Sequence, residues 1–255
     1  MDISGFELAI AILGGLLAGG INTLAGSGSA ITLSILHEVL GLPINIANGS
    51  NRVGVLAQSI TSNYSFYRHG KLKIVQHQKW AILLIFLGAL YGVYLATIVS
   101  NEVFKEIFKY LLIVLFFIIL IRPKRWLTQT DELYKLSPWI GAPIFFILGI
   151  YGGFIQMGMG VFFLAVFVLL NKTGLIDSNV IKAFTIGLYT IFVLAFFHWK
   201  GLVHWQFGLL IGIGQAIGGF AMAEFSSRSS KAELWAYRLL LIVVFILILR
   251  VFGLF

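Results

Sequence analysis

The chain has 255 residues, 59% of them hydrophobic and only 11% charged, with a formal net charge of +8 and no cysteine. So few charges cannot cover a soluble domain of this size, and the lack of cysteine excludes disulfides, thiolate metal sites and thiol redox chemistry. In so apolar a chain, surplus Lys and Arg fit the cytoplasmic loops of a membrane protein better than a nucleic-acid surface.

The opening "MDISGFELAI" is acidic rather than basic, so the first apolar segment is expected to stay as a helix and not to leave as a signal peptide. Ten helical segments are expected, at 5–24, 29–41, 45–67, 76–99, 102–121, 137–156, 160–171, 177–198, 203–224 and 232–253. The second and seventh are about 12 residues long and rise only about 18 Å. That is too short for a hydrocarbon core of about 30 Å, so each must be continued by irregular backbone or start near the middle of the membrane. Pro43 and Pro138 stand where a first helical residue would, a place that suits proline's missing donor, and Ser137 is a candidate N-cap.

The segments fall into two copies. "GGINTLAGSGSAITL" (19–33) aligns with "YGGFIQMGMGVFFL" (151–164), "RHGKL" (68–72) with "WKGLV" (199–203), and "LGALYG" (87–92) with "IGQAIGG" (213–219). Five segments per copy is an odd number, so the second copy enters from the opposite face, as in many secondary transporters. The expected fold is an all-α polytopic membrane protein of ten transmembrane segments, built as two inverted five-helix repeats with short broken helices 2 and 7. The repeats occupy 1–121 and 137–255, and the basic stretch 122–136 links them. Counted with ten crossings, Lys105, Lys109, Lys200 and Arg250 lie on one side, Arg52 lies inside a helix, and the remaining Lys and Arg lie on the other side. If the short segments did not cross, the bias would be much weaker. The sharper count puts the linker in the cytoplasm and both termini outside an inner (cytoplasmic) membrane, which the chain crosses many times.

The glycine-rich break at Gly26–Ser29 raises the chemical question. A helix restarted there exposes the unpaired N–H groups of its first turn, with roughly +0.5 charge from its dipole. Such backbone is tolerable at membrane depth only where it lines a cavity or is buried in protein, and it favours anions. The second copy places a matching break at Gly158–Gly160, so that two helix starts would face one central site. Tight glycine packing between helices is the competing structural explanation.

In segment three, Asn48, Asn51, Arg52, Ser59 and Ser62 share one helical face. An arginine at the centre of a spanning helix costs about 2.5–3.5 kcal/mol, so Arg52 either pairs with an anionic substrate through its planar fork or is held by Glu38 or by carbonyls. Segment eight offers Thr185 and Tyr189 to the same cavity, and Lys182, near the expected cytoplasmic end, is expected to snorkel. Gln156 and Gln215 are inward polar candidates, Glu224 an interfacial one, and His198 with Trp199 suits an interfacial belt. The five histidines are scattered, with no metal-ligand spacing, so neither a metal nor another cofactor is expected.

"AGGINTLAGSGSAI" (18–31), "ANGSN" (47–51), "YRHGKL" (67–72) and "GIYGGFIQMGMGV" (149–161) resemble the sulfite exporter TauE/SafE family, also called the toluene-sulfonate uptake permease family, from about residue 8 to 253. The resemblance implies a ten-helix, two-repeat transporter of sulfite, thiosulfate or organosulfonates across the cytoplasmic membrane. Family patterns carry onto Asn22, Gly26, Ser27, Gly28 and Ser29, onto Ala47, Ser50 and Asn51, and onto Gly153, Gln156, Gly158 and Gly160. The second break departs from the fuller glycine run by having Met157 and Met159, which suggests a soft apolar wall.

The expected activity is therefore secondary transport of a small sulfur-containing oxyanion. The expected binding set is Asn22, Gly26, Ser27, Gly28, Ser29, Ser50, Asn51, Arg52, Gln156, Gly158, Gly160 and Thr185. A proton or sodium ion would be the coupling partner, with membrane lipid around the chain and no nucleic acid. Two other readings stay open at this point. A cation or metal transporter would want intramembrane carboxylates. An intramembrane serine hydrolase built on "AGSGS" would want a histidine at membrane depth, for which His198 is the candidate.

Overall fold

In the computed structural model, residues 5–98, 117, 126–131, 134, 136–154, 156–229 and 231–251 are described, and every regular element among them is helical. α1 is Gly5–Ala25, α2 is Gly28–Ser34 running into a π turn at Ile35–Val39, and α3 is Ile44–Arg68. A 3-10 segment, Lys71–Gln78, leads into α4, Lys79–Leu95. Beyond the middle of the chain, α5 is Pro138–Phe154 and α6 is Met159–Ala165, running into a π turn at Val166–Leu170. α7 is Leu175–Trp199, α8 is Trp205–Arg228 and α9 is Ala232–Val251. The expected segment 102–121, Phe117 apart, lies outside the described residues, as do parts of the linker.

Each break follows from its glycine. Gly26 has φ +82° and Gly158 has φ +71°, a left-handed conformation that ends a helix at little cost only without a Cβ. The short helices beyond are not the continuous α-helices expected at 29–41 and 160–171. Each holds a seven-residue α-helix and then a π turn. The π turns widen the backbone, so that Leu42 N–H reaches Leu36 O and Thr173 N–H reaches Phe167 O, both at 2.9 Å. A 25-residue helix follows in each case. Pro138 opens α5 as expected, whereas Pro43 sits one place before α3 in an extended conformation, ψ 143°. The fourth segment begins as α-helix only at Lys79, three residues late, because Lys71–Gln78 is wound as 3-10.

The long helices pack through glycine. On α1, a Cβ at Gly15 or Gly19 would strike the backbone of Ile211, Gly214 or Gln215 in α8, and Gly214 and Gly218 of α8 meet the α1 backbone in return. α4 and α5 repeat this with Gly88 and Gly92 against Phe146 and Ile150, and Gly149 and Gly153 against Ile85 and Ala89. Glycines four apart let two helices approach to backbone contact. α1 is therefore fixed to a helix late in the chain, and α5 to one early in the chain.

The outer surface is apolar and much of the inside is polar. Leu209, Ile213 and Ile217 form one exposed stripe on α8, while Gln215 between them is buried. Four helices among the described residues are long and apolar enough to cross a membrane: Gly5–Ala25, Lys71–Leu95 (the 3-10 segment with α4), Leu175–Trp199 and Trp205–Arg228. α3 equals α7 in length at 25 residues, but it carries the Asn, Gln and Ser side chains of the interior.

The charged connections gather at one end. Lys71, Lys73 and His77 line one cleft of about 600 Å³ with Thr130, Asp131, Asn171 and Asp177. The described linker residues are packed down there. Trp126 is buried against Tyr237, Gly174 N–H donates to Thr130 Oγ1 at 2.9 Å, and Thr130 bonds Asp177. At the same end Glu224 pairs with His69 at 3.0 Å and Arg228 at 2.5 Å.

Gly92→Leu and Gly218→Leu each push a side chain into a backbone contact. Each should cost about 1–3 kcal/mol by overpacking, read as a lower melting temperature of the purified protein in detergent, while Gly5→Leu, with open space around it, should leave melting unchanged.

Candidate functional site

The two breaks meet. A Cβ on Gly26 would fall on the backbone of Gly160, and one on Gly160 would fall on Gly26. The N-terminal ends of α2 and α6 therefore come together in the middle of the protein. In α2 the first helical N–H to find its carbonyl is Ala30, which donates to Ser27 O at 3.0 Å. The N–H groups of Ser27, Gly28 and Ser29 precede that bond, as the first turn of any helix requires. In α6, Met159 N–H donates to Gln156 O and Val161 N–H to Gly158 O, each at 3.0 Å. Ser27 is 1% exposed, and its hydroxyl finds no partner among the described residues.

Breaking a helix also strands carbonyls at its C-terminus. Arg52 of α3 is fully buried, and its terminal nitrogens serve the broken end of α5. Nη1 donates to Gly152 O at 2.8 Å and to Gln156 Oε1, while Nη2 donates to Gly153 O at 3.1 Å. Asn48, one turn back, donates to Phe154 O at 3.1 Å. The guanidinium also lies 5.6 Å from the Phe197 ring centre, a cation–π distance, and the Tyr189 hydroxyl lies against Gly152. Gln156, held by Arg52, adopts φ +60°, a left-handed conformation costly for a residue with a Cβ.

The broken end of α1 receives the same treatment from α7. Lys182 Nζ donates to Asn22 O at 2.8 Å, Thr23 O at 3.1 Å and Asn179 Oδ1 at 2.5 Å. Asn179 Nδ2 donates to Leu24 O at 3.0 Å. The expectation that Lys182 snorkels is therefore wrong. It is 2% exposed, because the broken end of α1 supplies two carbonyl acceptors and Asn179 of its own helix a third, inside the protein where water would otherwise be needed. In each case a long helix gives an Asn and, within one turn, a cation to the first long helix of the other half of the chain.

Around the first break lies a third set of polar contacts. Thr32 Oγ1 donates to Asn51 Oδ1 at 2.5 Å and to Ser29 O at 3.2 Å, and Gln215 Nε2 approaches Asn51 Oδ1 at 3.4 Å. Asn22 donates to Gln58 at 2.8 Å, and Gln58 to Thr23 at 3.2 Å. Asn51 Nδ2 and Gln215 Oε1 remain without partners among the described residues, although both side chains are buried.

The expected residues Asn22, Gly26, Ser27, Gly28, Ser29, Asn51 and Gly160 thus lie at or one turn from the junction. Arg52, Gln156 and Gly158 belong to the second break, with Arg52 engaged by carbonyls rather than by Glu38. Ser50 lies apart, its hydroxyl accepting from His204 N–H at 2.8 Å, and the Thr185 hydroxyl is turned onto its own helix, 2.7 Å from Ile181 O. Sequence reasoning missed Thr32, Gln58 and Asn179. The one available signal was that Asn179 and Lys182 sit in α7 much as Asn48 and Arg52 sit in α3.

Among the described residues, none of the buried polar or charged side chains is a carboxylate, and no three His, Asp or Glu group together as a metal site would require. His198 is exposed and accepts from Trp205 Nε1 at 3.2 Å, so it is occupied at a helix end, away from the buried serines.

Residues 11–251 match the family model described as Sulfite exporter TauE/SafE. The chain belongs to this family. TauE/SafE proteins are membrane transporters, and the relatives carry names to match. A probable membrane transporter protein, ORF9, of Sinorhizobium sp. is 29% identical over 91% of this chain and 86% of its own. A probable membrane transporter protein of Haemophilus influenzae is also 29% identical, over 91% of this chain and 89% of its own. The probable membrane transporter protein YfcA of Escherichia coli K12 is 27% identical over 85% and 79%. No solved structure matches this TauE/SafE chain.

Asn48→Leu removes the donor to Phe154 O while keeping the side chain's bulk. Loss of that hydrogen bond should cost about 1–3 kcal/mol, and Asn179→Leu should cost at least as much, because it removes both the donor to Leu24 O and one acceptor of Lys182. Detergent melting of the two variants checks both values.

Proposed function

We propose that this TauE/SafE protein is a secondary carrier of a small sulfur-containing oxyanion (sulfite, thiosulfate or an organosulfonate) working by alternating access. The observation that carries this reading is the contact of Gly26 with Gly160, beside buried donors that lack partners, Ser27 Oγ and Asn51 Nδ2. An oxyanion would satisfy these together with the leading N–H groups of α2 and α6. Two helix N-termini aimed at one point favour negative charge. Arg52 and Lys182, buried on either side without a carboxylate, add positive potential. The same field opposes a cation. Ser29, Gly28, Asn22, Gly158 and Gln156 complete the setting; Ser50 and Thr185 shape helix ends and packing around it.

The chain is read here as ten crossings in two inverted repeats, 1–121 and 137–255, with the 122–136 linker in the cytoplasm and the termini outside the inner membrane. Support comes from the repeated order of break, seven-residue helix, π turn and 25-residue helix. It comes also from the cleft that joins residues 70–81 with 130–136 and 171–177. The last two, on either side of α5 and α6, share a side only if the second short segment carries the chain across, and the repeat extends this to the first. Met157 and Met159 at the second break give an apolar neighbour for the organic part of a sulfonate.

Reconstituted protein should carry labelled sulfite, thiosulfate or methanesulfonate into liposomes. Ser29→Asp, which sets a like charge at the helix start, should reduce that flux to background while membrane expression stays normal. Undiminished flux in Ser29→Asp would remove the junction from consideration.

A further inference from the structure

The two clamps do the same structural work with different chemistry. Arg52 keeps its charge at every physiological pH, whereas a lysine amine can lose a proton. Lys182 is the one amine among the described buried polar and charged residues, which include no Asp, Glu or His. Its Nζ has three protons and three partners, Asn22 O, Thr23 O and Asn179 Oδ1, and all three are acceptors. The protonated amine satisfies that site completely. The neutral amine has two protons and a lone pair, so one of the three oxygens would face a lone pair and lose its donor. Two of those oxygens belong to the last turn of α1, one turn before Gly26 and Ser27. The proton on Lys182 is thereby tied to the geometry of the first break.

Among the described buried polar and charged residues the one other charge is Arg52, and Lys71, Lys73 and His77 of the 3-10 segment packed on α7 are not buried but line the open cleft. α1 presents carbonyls to Lys182. Of the charged groups on the elements packed around it, Asp177 on α7 is bonded to Thr130, and Arg52 on α3 is held by Gly152, Gly153 and Gln156. Glu224 on α8 is held by Ser65, His69 and Arg228, and Glu233 stands in the first turn of α9, beside the cleft that Asp177 and Lys71 also line.

We propose that Lys182 is the coupling-proton site of this transporter, a positioning residue whose protonated amine holds the first break ready for the oxyanion. This rests on the oxyanion reading above and names its coupling ion. In the cycle, one Nζ–H bond breaks, its electron pair stays on nitrogen, and the proton leaves to water on whichever side is open as the anion leaves. Proton and anion move together, so the carrier is a proton–anion symporter.

Binding of thiosulfate to the purified full chain, measured by calorimetry, tests this. Thiosulfate keeps its own charge from about pH 6 to pH 9, a span in which a buried lysine can titrate. Wild-type affinity should fall as pH rises, approaching tenfold per unit above the pKa of the amine. Binding in two buffers of different ionisation enthalpy should show net proton uptake on that limb. Lys182→Arg keeps the donors and the charge but cannot titrate. It should bind thiosulfate at low pH within a few-fold of wild type, lose the pH slope, and fail to accumulate thiosulfate in liposomes against its gradient when a pH gradient is applied. A flat wild-type pH profile with no proton uptake, or an unchanged slope in Lys182→Arg, overturns the proposal while leaving the oxyanion site standing. The wild-type measurement decides even if the variant does not fold. Failure of wild type to bind thiosulfate, sulfite or methanesulfonate at any pH overturns the oxyanion reading, and this one with it.

Discussion

A helix interrupted inside an apolar layer must find hydrogen-bond partners for the carbonyls at its broken end, and the rest of this structure is arranged around that requirement. Water is the usual partner, and it is scarce there. The chain uses buried cations instead. Arg52 and Asn48 serve Gly152, Gly153 and Phe154; Lys182 and Asn179 serve Asn22, Thr23 and Leu24. Burying a charge is expensive unless it is matched. Here the match is the negative end of a helix dipole together with three or more oxygens, which is why no carboxylate is needed beside either residue.

The clamps also determine which parts of the chain hold one another. Each links a helix from one half to a broken helix from the other, and the glycine seams of α1 with α8 and α4 with α5 link the halves again. Those seams depend on backbone contact, whose tolerance for added atoms is small. The breaks are thus positioned by rigid neighbours on every side, and the flexibility that glycine gives Gly26 and Gly158 is used for direction of the chain rather than for freedom of movement. Holding polar groups in place on rigid elements is what a binding site needs if it is to discriminate by geometry.

Much of this was legible in the sequence, for identifiable reasons. Periodicity and glycine placement gave nearly all the described helices, and the order of small residues gave both breaks, because a chain that must turn inside an apolar layer has few residues able to do it. What stayed hidden were the partners. Nothing local to Lys182 distinguishes a lysine that reaches outward from one that reaches inward. The difference lies in Asn22 and Thr23, about 160 residues away in the chain. The π turns were missed because Ile35–Val39 and Val166–Leu170 are as apolar as the helices they extend, so period alone cannot see a widened turn. Thr185 was placed in the cavity by spacing, but a threonine in a helix has its own carbonyl four residues back as an alternative acceptor, and that local bond prevailed.

The unlike residues at the two clamps bear on how the proposed carrier would cycle. Rocking of one half against the other would strain one clamp before the other, since they lie toward opposite ends of antiparallel α3 and α7. Seven residues separate Arg52 from Ser59 and five separate Lys182 from Gly187, where the two helices touch, which is on the order of 10 Å along each axis. The Arg52 set can part only by exchanging its carbonyls for water or for an anion, because its charge is permanent. The Lys182 set has a further route, loss of a proton, which weakens its hold without requiring a replacement ligand. A carrier with two permanent clamps would depend on its cargo to open either side. Under the proposed proton coupling, one permanent and one titratable clamp would let the two sides respond to different events, one to the anion and one to the proton.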